Sequence, residues 1–529
     1  MKKTKMLALL LAVLMLVSCF AACGKKEEAP AASGSEAAAP AEKAEESGRK
    51  TSKEVLILGN KSDVGTLAPF QDSAIQRSRV TQNVYDTLYI LENDGSFTPC
   101  LATEWTWEDA NHCTFKLRDD VVFSNGNKFT ADDVLFSLEQ ALAGAMSGNF
   151  PWIDLAECKV VDDYTFTLGC FYSGPKVTAS IGMNCDLPMI DRETCEANPD
   201  LMGTEPVGTG PYMVEEWVVG DTVTLVKNPN YWGEEAIIDT LIFRNISETT
   251  QRTIELETGG VDVVYDLQAS AVESLQDKVN IIRMDGVLVQ NLYFNILRPN
   301  APMANKDLRL AVAYALDKNA IAKGAYNGGA TGAKSQAGSG ASNSQYLENP
   351  DWEYWFPQDV EKAKEHLAAA GYPNGITLKC VVDDSATRVA LIEVVQNQLK
   401  NVGIEIELLQ YDFGTALNYC LNSQNEWDMY VFGNGATDAI LQSDRLNNNT
   451  APFLTYTSDE LQGILDEIFS NNDAAKTPEL LGKLRDYFNT NVPFVPVCVE
   501  EVIMATPQNL KGFEIYAATA AYLKDVYFE

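Results

Sequence analysis

Histidine is almost missing from this 529-residue chain: only His112 and His366 occur. With so few imidazoles a HExxH zinc helix is impossible, and nickel or haem ligation fits poorly. Basic residues are also scarce, 40 Lys and Arg against 74 Asp and Glu, for a formal net charge of −34. That balance excludes a nucleic-acid binder, which needs cationic surface to displace counterions. No Gly-x-Ser-x-Gly elbow occurs and no cysteine pair has CxxC spacing. A serine hydrolase, a redox centre and a zinc ribbon are therefore unsupported. A secreted hydrolase working through a carboxylate pair stays as the rival from another class, although no pair is singled out. Beyond the N-terminus there is no long apolar run, so no later membrane span is expected.

What is present begins with an address. Lys2, Lys3 and Lys5 precede an apolar run from Met6 to Val17, then small residues and cysteine. This is the order of a secretory signal. Twelve residues rise ~18 Å as a helix, short of a ~30 Å hydrocarbon core. Cys23 in Phe20-Ala-Ala-Cys and Cys19 in Leu16-Val-Ser-Cys both resemble bacterial lipobox cysteines, which become lipidated first residues. Cys23 is the expected one, Cys19 the alternative, with ordinary secretion as the bland reading. Residues 24–53 are mostly Ala, Glu, Pro, Ser and Lys without an aromatic, a composition that cannot bury enough apolar surface to fold, so a flexible tether is expected. Nine cysteines follow Cys23. Nine is odd, so at least one stays unpaired in a monomer, and Cys158 and Cys170 could be cross-strand neighbours.

The glycines of "EPVGTGPYMVEEWVVGDTVTLVKNPNYWG" (205–233) could suggest a phosphate loop. Pro211 removes an N–H, however, and a period of two follows, so the stretch reads as two strands joined at Gly220-Asp221. Thr130-Ala-Asp-Asp133 is a capping box. The stretch 305–326 carries Leu308, Ala311, Val312 and Ala315 on one helical face, and 358–375 ends at Gly371 with Pro373 beyond. Strands dominate to about residue 290, whereas helices and strands alternate from about 300 to 490; two unlike lobes follow.

Residues 101–142, "LATEWTWEDANHCTFKLRDDVVFSNGNKFTADDVLFSLEQAL", resemble the extracellular solute-binding proteins of family 5, the peptide/nickel group of ABC-transporter receptors. "GTGPY", "NPNYWG", "TIELETGGVDVVYDL", "NLYFNILRPN", "VEKAKEHLAAAGYPNG" and "NEWDMYVFG" continue the likeness in order, over essentially all of 54–529. The resemblance implies an α/β fold of two lobes, the class II (cluster C) flytrap of periplasmic binding proteins, with mixed sheets and an extra strand-rich subdomain in lobe one. Crossings are expected near Leu292–Asn295 and Phe494–Glu500. The implied layout is a signal peptide (1–23), the tether (24–53), lobe one (54–292), lobe two (293–495) and a return to lobe one (496–529).

The function so implied is capture of short peptides outside the membrane by a lipid-anchored, monomeric receptor that serves an ABC permease. No cofactor or metal, no catalysis and no nucleic acid are expected. An oligosaccharide or another small metabolite is the alternative ligand, and a sensor that signals without transport is a further rival. Peptide-binding relatives commonly carry Gly-Trp-x-x-Asp after the Trp-Asp strand, the Asp pairing with the peptide's ammonium. Here Gly433, Asn434, Gly435 and Ala436 lead to Thr437 and Asp438. Asn434 takes the Trp place and Thr437 the Asp place, and Asp438 serves if the loop shifts by one. Other candidate contacts are Pro69, Phe70 and Gln71, where relatives offer a lobe-one edge, and Trp352, beside Tyr354 and Trp355, as a stacking surface. Each has a bland alternative: a plain turn, a surface loop, aromatics that pin a loop.

Overall fold

The computed structural model describes residues 50–71, 75–92, 96–109, 111–147, 150, 152–171, 177, 181–182, 187–341, 343–422, 425–435, 439, 458–471, 474–515 and 521–529. Cys19, Cys23, Cys185, Thr437, Asp438 and residues 24–49 of the tether lie outside them.

Two large mixed sheets organise the chain. One has seven strands, in the order Val279–Met284, Val502–Pro507, Val263–Val264, Val55–Asn60, Thr240–Asn245, Thr222–Lys227 and Tyr212–Val218. The other has six: Ala330–Gly332, Phe494–Glu500, Leu288–Phe294, Met429–Gly435, Ile376–Asp383 and Ile404–Tyr411. A four-stranded sheet between residues 102 and 169 adds the strand-rich subdomain beside the first. Each large sheet has its own core. Leu56, Leu58, Phe115, Phe123 and Leu241 anchor one; Leu292, Leu308, Val381, Leu391 and Trp427 anchor the other. Fully burying each such side chain contributes roughly 1.5–3 kcal/mol.

Two neighbouring chain segments join the sheets. Val279–Met284 pairs with Val502–Pro507 in the seven-stranded sheet, and Leu288–Phe294 pairs with Phe494–Glu500 in the six-stranded one. The chain therefore changes sheets at 285–287 and again at 501. Leu292–Asn295 and Phe494–Glu500, where the crossings were expected, are mostly ladder residues of the six-stranded sheet. The sequence marks the two bends only briefly, by Asp285-Gly286 and by Glu500-Glu501 between strand-like stretches. Gly286 sits at the bend because nothing larger fits: a Cβ there would lie 1.7 Å from the Glu500 carbonyl oxygen.

Local chemistry accounts for the elements. The hairpin at 212–227 forms as expected, with Val218 opposite Thr222 and Gly220 at φ +82°. The Gly210 N–H donates to the Val84 carbonyl at 2.9 Å, so that loop is packed against the chain rather than open to a phosphate. The Thr130 N–H donates to the Asp133 carboxylate at 2.8 Å, closing the capping box. The stretch 305–326 is not one helix but two, Lys306–Ala315 and Lys318–Tyr326. Asp317 separates them because its carboxylate caps the second, accepting from the Ala320 N–H at 2.9 Å. Lys318 then starts that helix only 2% exposed. Its Nζ donates to the Phe356 carbonyl at 2.9 Å, and burial pushes its ammonium down to about 7 against an attractive Asp317.

Cys100, Cys113, Cys158, Cys170, Cys195, Cys380, Cys420 and Cys498 are all free thiols. Cys158 and Cys170 are neighbours in space but unbonded; the Gly169 N–H donates to the Cys158 sulfur at 3.3 Å. His112 pairs with Asp109 (3.0 Å) and His366 with Asp307 (2.9 Å). Among the described residues no cluster of acidic, Cys and His side chains could hold a metal, and no helix is long and apolar enough to cross a membrane.

Candidate functional site

In the six-stranded sheet, Ile376–Asp383 runs parallel to both Ile404–Tyr411 and Met429–Gly435. All three end on one edge, and helices Ala386–Lys400 and Phe413–Leu421 start there. Leu288–Phe294 enters, and Phe494–Glu500 leaves, at the same edge. It is thus the edge that meets the crossings. The parallel strands Val55–Asn60, Thr240–Asn245 and Val263–Val264 of the other sheet also end toward the crossings. Carboxyl edges of parallel strands are where open α/β sheets bind ligands. Here both large sheets turn such an edge toward the crossings.

The six-stranded edge carries a guanidinium. Arg388, in the first turn of its helix, donates to the buried Asp383 carboxylate through Nη1 and to Gln290 Oε1 through Nε at 3.3 Å. Gln290 in turn donates to Glu500 Oε1 at 2.7 Å, and Tyr326 Oη donates to the same oxygen at 3.0 Å. Burial, reinforced by the Glu500 charge, raises the Tyr326 phenol far above its ordinary range, so it stays a donor. The Arg388 guanidinium carbon lies 5.8 Å from the Phe432 ring centroid and 5.9 Å from that of Phe413, and those two rings stack 6.1 Å apart. Asp383 is 1% exposed at its side chain and Arg388 18%. The carboxylate is therefore structural, whereas the guanidinium reaches solvent. Its Nη2 has no partner among the described residues.

The opposite edge holds a buried guanidinium tied to a carboxylate. Arg79, itself buried, donates to Asn60 Oδ1 (3.1 Å) and Asp266 Oδ2 (3.0 Å) and lies 4.0 Å over the Tyr265 ring. Asp266 takes φ +57°, a left-handed conformation that Asp tolerates better than most residues. Burial works to raise its carboxyl, but the Arg79 and Lys61 charges prevail and hold it at about 2. A surface depression of about 470 Å³ lined by Thr103, Lys116, Arg118 and Tyr164 lies instead on the four-stranded sheet. Arg118 there is paired with Asp120 (2.7 Å), and Lys116 donates to the Thr165 hydroxyl (2.8 Å).

The residues singled out from sequence fall in three places. Gly433, Asn434 and Gly435 are at the edge just described, but as the last rungs of a strand paired with Gln290, Val289 and Leu288 rather than as a loop. Their glycines admit a close neighbour: a Cβ on Gly435 would lie 2.9 Å from the Val287 carbonyl oxygen. Pro69 and Phe70 are buried in the lobe-one core, where Phe70 meets Phe150 edge-on at 6.1 Å, and Gln71 is exposed. Trp352 is half-buried, its ring 4.7 Å from Phe356 in lobe-two packing. Arg388, Gln290, Tyr326 and Glu500 were not singled out by the sequence reading. The available signal was Asp383 closing a strand five residues before an Arg that opens a helix.

This two-sheet architecture recurs in known proteins. CtaP from Listeria monocytogenes, an ABC transporter substrate-binding protein, superposes with a TM-score of 0.78 at 22% identity, covering 90% of this chain and 99% of that one. DppA from Helicobacter pylori, solved in complex with the peptide STSA, gives a TM-score of 0.73 at 24% identity over 91% of this chain and 99% of that one. In sequence, the glutathione-binding protein GsiB of Escherichia coli O1:K1 / APEC is 26% identical over 491 residues, 89% of this chain and 94% of that protein. The profile of the bacterial extracellular solute-binding proteins, family 5 middle region, matches residues 96–449. The fold is thus a shared one, and the chain is a member of the family 5 bacterial extracellular solute-binding proteins.

Proposed function

We propose that this protein captures short peptides bearing a free carboxylate between its two sheets and delivers them to the permease of an ABC importer, tethered to the outer face of the membrane through lipid on Cys23. Its walls are then 54–284 with 502–529 on one side and 288–500 on the other. The observation that carries the reading is Arg388. A guanidinium fixed by Asp383 and Gln290, backed by two aromatic rings and open at Nη2, suits a carboxylate better than a neutral sugar. Relatives named for glutathione binding or solved with the peptide STSA support a peptidic ligand. Asp438 is the counter-charge for the peptide's ammonium in this reading. Ligand touching both walls favours the closed arrangement by its differential affinity, and the segments 285–287 and 501 absorb the motion.

The test is to express residues 50–529, denature the purified protein and identify the released small molecules by mass spectrometry, then titrate trialanine calorimetrically. Released peptides, and a trialanine affinity lost in Arg388→Met, support the reading. A released sugar or a lone amine sinks it.

A further inference from the structure

Beside Arg388, the same strands carry a group of buried polar side chains with atoms that nothing among the described residues fully satisfies. Side chains alternate along a strand, so Val289, Asn291 and Tyr293 share one face of Leu288–Phe294. The register sets Asn434 opposite Val289, Phe432 opposite Asn291 and Tyr430 opposite Tyr293. Asn291 therefore lies between Asn434 and Tyr430 on a single face. Asn291 is 1% exposed, Asn434 5% and Tyr430 0%. The Asn291 Oδ1, the Asn434 Nδ2 and the Tyr430 Oη make no well-formed hydrogen bond among the described residues, the Asn434 amide having only a loose contact with the Tyr293 hydroxyl. Asn291 is nevertheless held in place, because its Nδ2 donates to the Val289 carbonyl (3.0 Å) and to Tyr293 Oη (3.2 Å). At the hinge end of this face, Ala333 packs on Val289 and Val499, and three residues on Gln336 is buried with both amide atoms unpartnered.

A buried polar atom left without a partner costs about 1–3 kcal/mol, so three on one face of two adjacent strands point to a missing occupant. The group is neutral. One amide oxygen, one amide N–H and a hydroxyl complement a group that offers both a donor and an acceptor. We propose that this face is a specificity pocket for a neutral carboxamide of the ligand, such as the side chain of Gln or Asn. Arg388 and Phe432 beside it hold the ligand's carboxylate. A carboxylate side chain is rejected there because the Asn291 oxygen repels it, and an apolar side chain because it leaves the buried atoms unpaired. The inference rests on the peptide reading above and refines its ligand class.

An equimolar pool of tripeptides with Gln, Asn, Glu, Asp, Met or Leu at each position, otherwise alanine, tests it. The pool is equilibrated with residues 50–529, and the retained peptides are quantified by mass spectrometry. The expected result is roughly tenfold enrichment of Gln or Asn peptides over their Glu, Asp, Met and Leu counterparts, as about two neutral hydrogen bonds provide. Asn291→Leu and Asn434→Leu abolish the enrichment while trialanine still binds. Tyr430→Phe removes one unpartnered hydroxyl at constant shape, so it folds, and it lowers the enrichment if that hydroxyl reads the ligand. Peptides retained without amide preference, or a preference unchanged in all three variants, overturn the pocket and leave the peptide reading standing. No retained peptide overturns both.

Discussion

Replacing Arg388 by methionine should damage the protein twice, and the two injuries can be separated. Asp383 is 1% exposed at its side chain and receives the guanidinium and the Ser385 N–H (3.0 Å). Without Arg388 one carboxylate oxygen keeps its partner and the charge loses its counterion. Breaking a buried pair from one side costs ~3–5 kcal/mol; since the Arg388 side chain is 18% exposed, water softens the loss and about 3 kcal/mol is expected. The double variant Asp383→Asn/Arg388→Met removes the stranded charge and should recover most of that stability. Ligand binding behaves differently. A charge-assisted hydrogen bond contributes roughly 1.5–3 kcal/mol, about 10- to 150-fold in affinity, and neither variant regains it. Urea denaturation and calorimetric titration with trialanine give the two readouts. A stable double variant that binds trialanine as tightly as wild type would falsify the assignment of Arg388 as the carboxylate anchor.

Lys318→Met should stabilise the protein at neutral pH and below. Burial holds the Lys318 ammonium at about 7 against an ordinary 10.5, a gap worth roughly 5 kcal/mol at ~1.36 kcal/mol per pH unit. Because the folded value is depressed, the unfolded chain binds the proton first, so wild-type stability is highest above ~10.5 and declines as pH falls toward 7. Less about 1–3 kcal/mol for the orphaned Phe356 carbonyl, the variant gains a few kcal/mol at pH 6, and the gain shrinks between pH 7 and 10. A pH-independent difference in urea denaturation refutes this. Asp266→Asn tests the opposite sign. Asp266 sits at about 2, so its contribution is full above ~4 and is lost as pH falls from 4 to 2. Wild type should shed on the order of 2 kcal/mol more than the variant over that window, and parallel acid titrations would contradict it. Gly286→Ala should cost about 1–3 kcal/mol by overpacking, since its Cβ would sit 1.7 Å from a backbone oxygen; an unchanged melting temperature argues that the bend is slack. Native thiols should react slowly with Ellman's reagent at pH 8, because burial pushes Cys158 up to about 11 and Cys113 to about 12.

Features written in local chemistry were legible in the sequence. The hairpin at 212–227, the capping box at Thr130 and the helix stop at Gly371 (φ +95°) each depend on residues a few positions apart. The site was legible only in part. Gly433–Gly435 lies at the same edge as Arg388, but two glycines with an asparagine look like a loop, and only the close approach of residues 287–290 on the neighbouring strand makes them rungs of a ladder. Asp317 splits one apolar helical face into two helices because its cap competes with continuation of the turn. Arg388 escaped notice since its meaning comes from Gln290, almost a hundred residues away in the chain, and from rings on two other elements. Phe70 looked like an exposed edge contact, yet its ring is core. The bend at Gly286 is marked only by the dipeptide Asp285-Gly286, a short signal between two strand-like stretches that a strand-level reading passes over.

The paired crossings also make lobe two a single cassette. Met284 already sits opposite Val502 across the ladder of the seven-stranded sheet, so everything between them leaves and returns through one doorway. A two-residue turn such as Asn-Gly could join Met284 to Val502 without disturbing any rung of that sheet. Recombination at this doorway exchanges the wall that carries Arg388 as one contiguous stretch of gene, while the seven-stranded sheet is inherited unchanged.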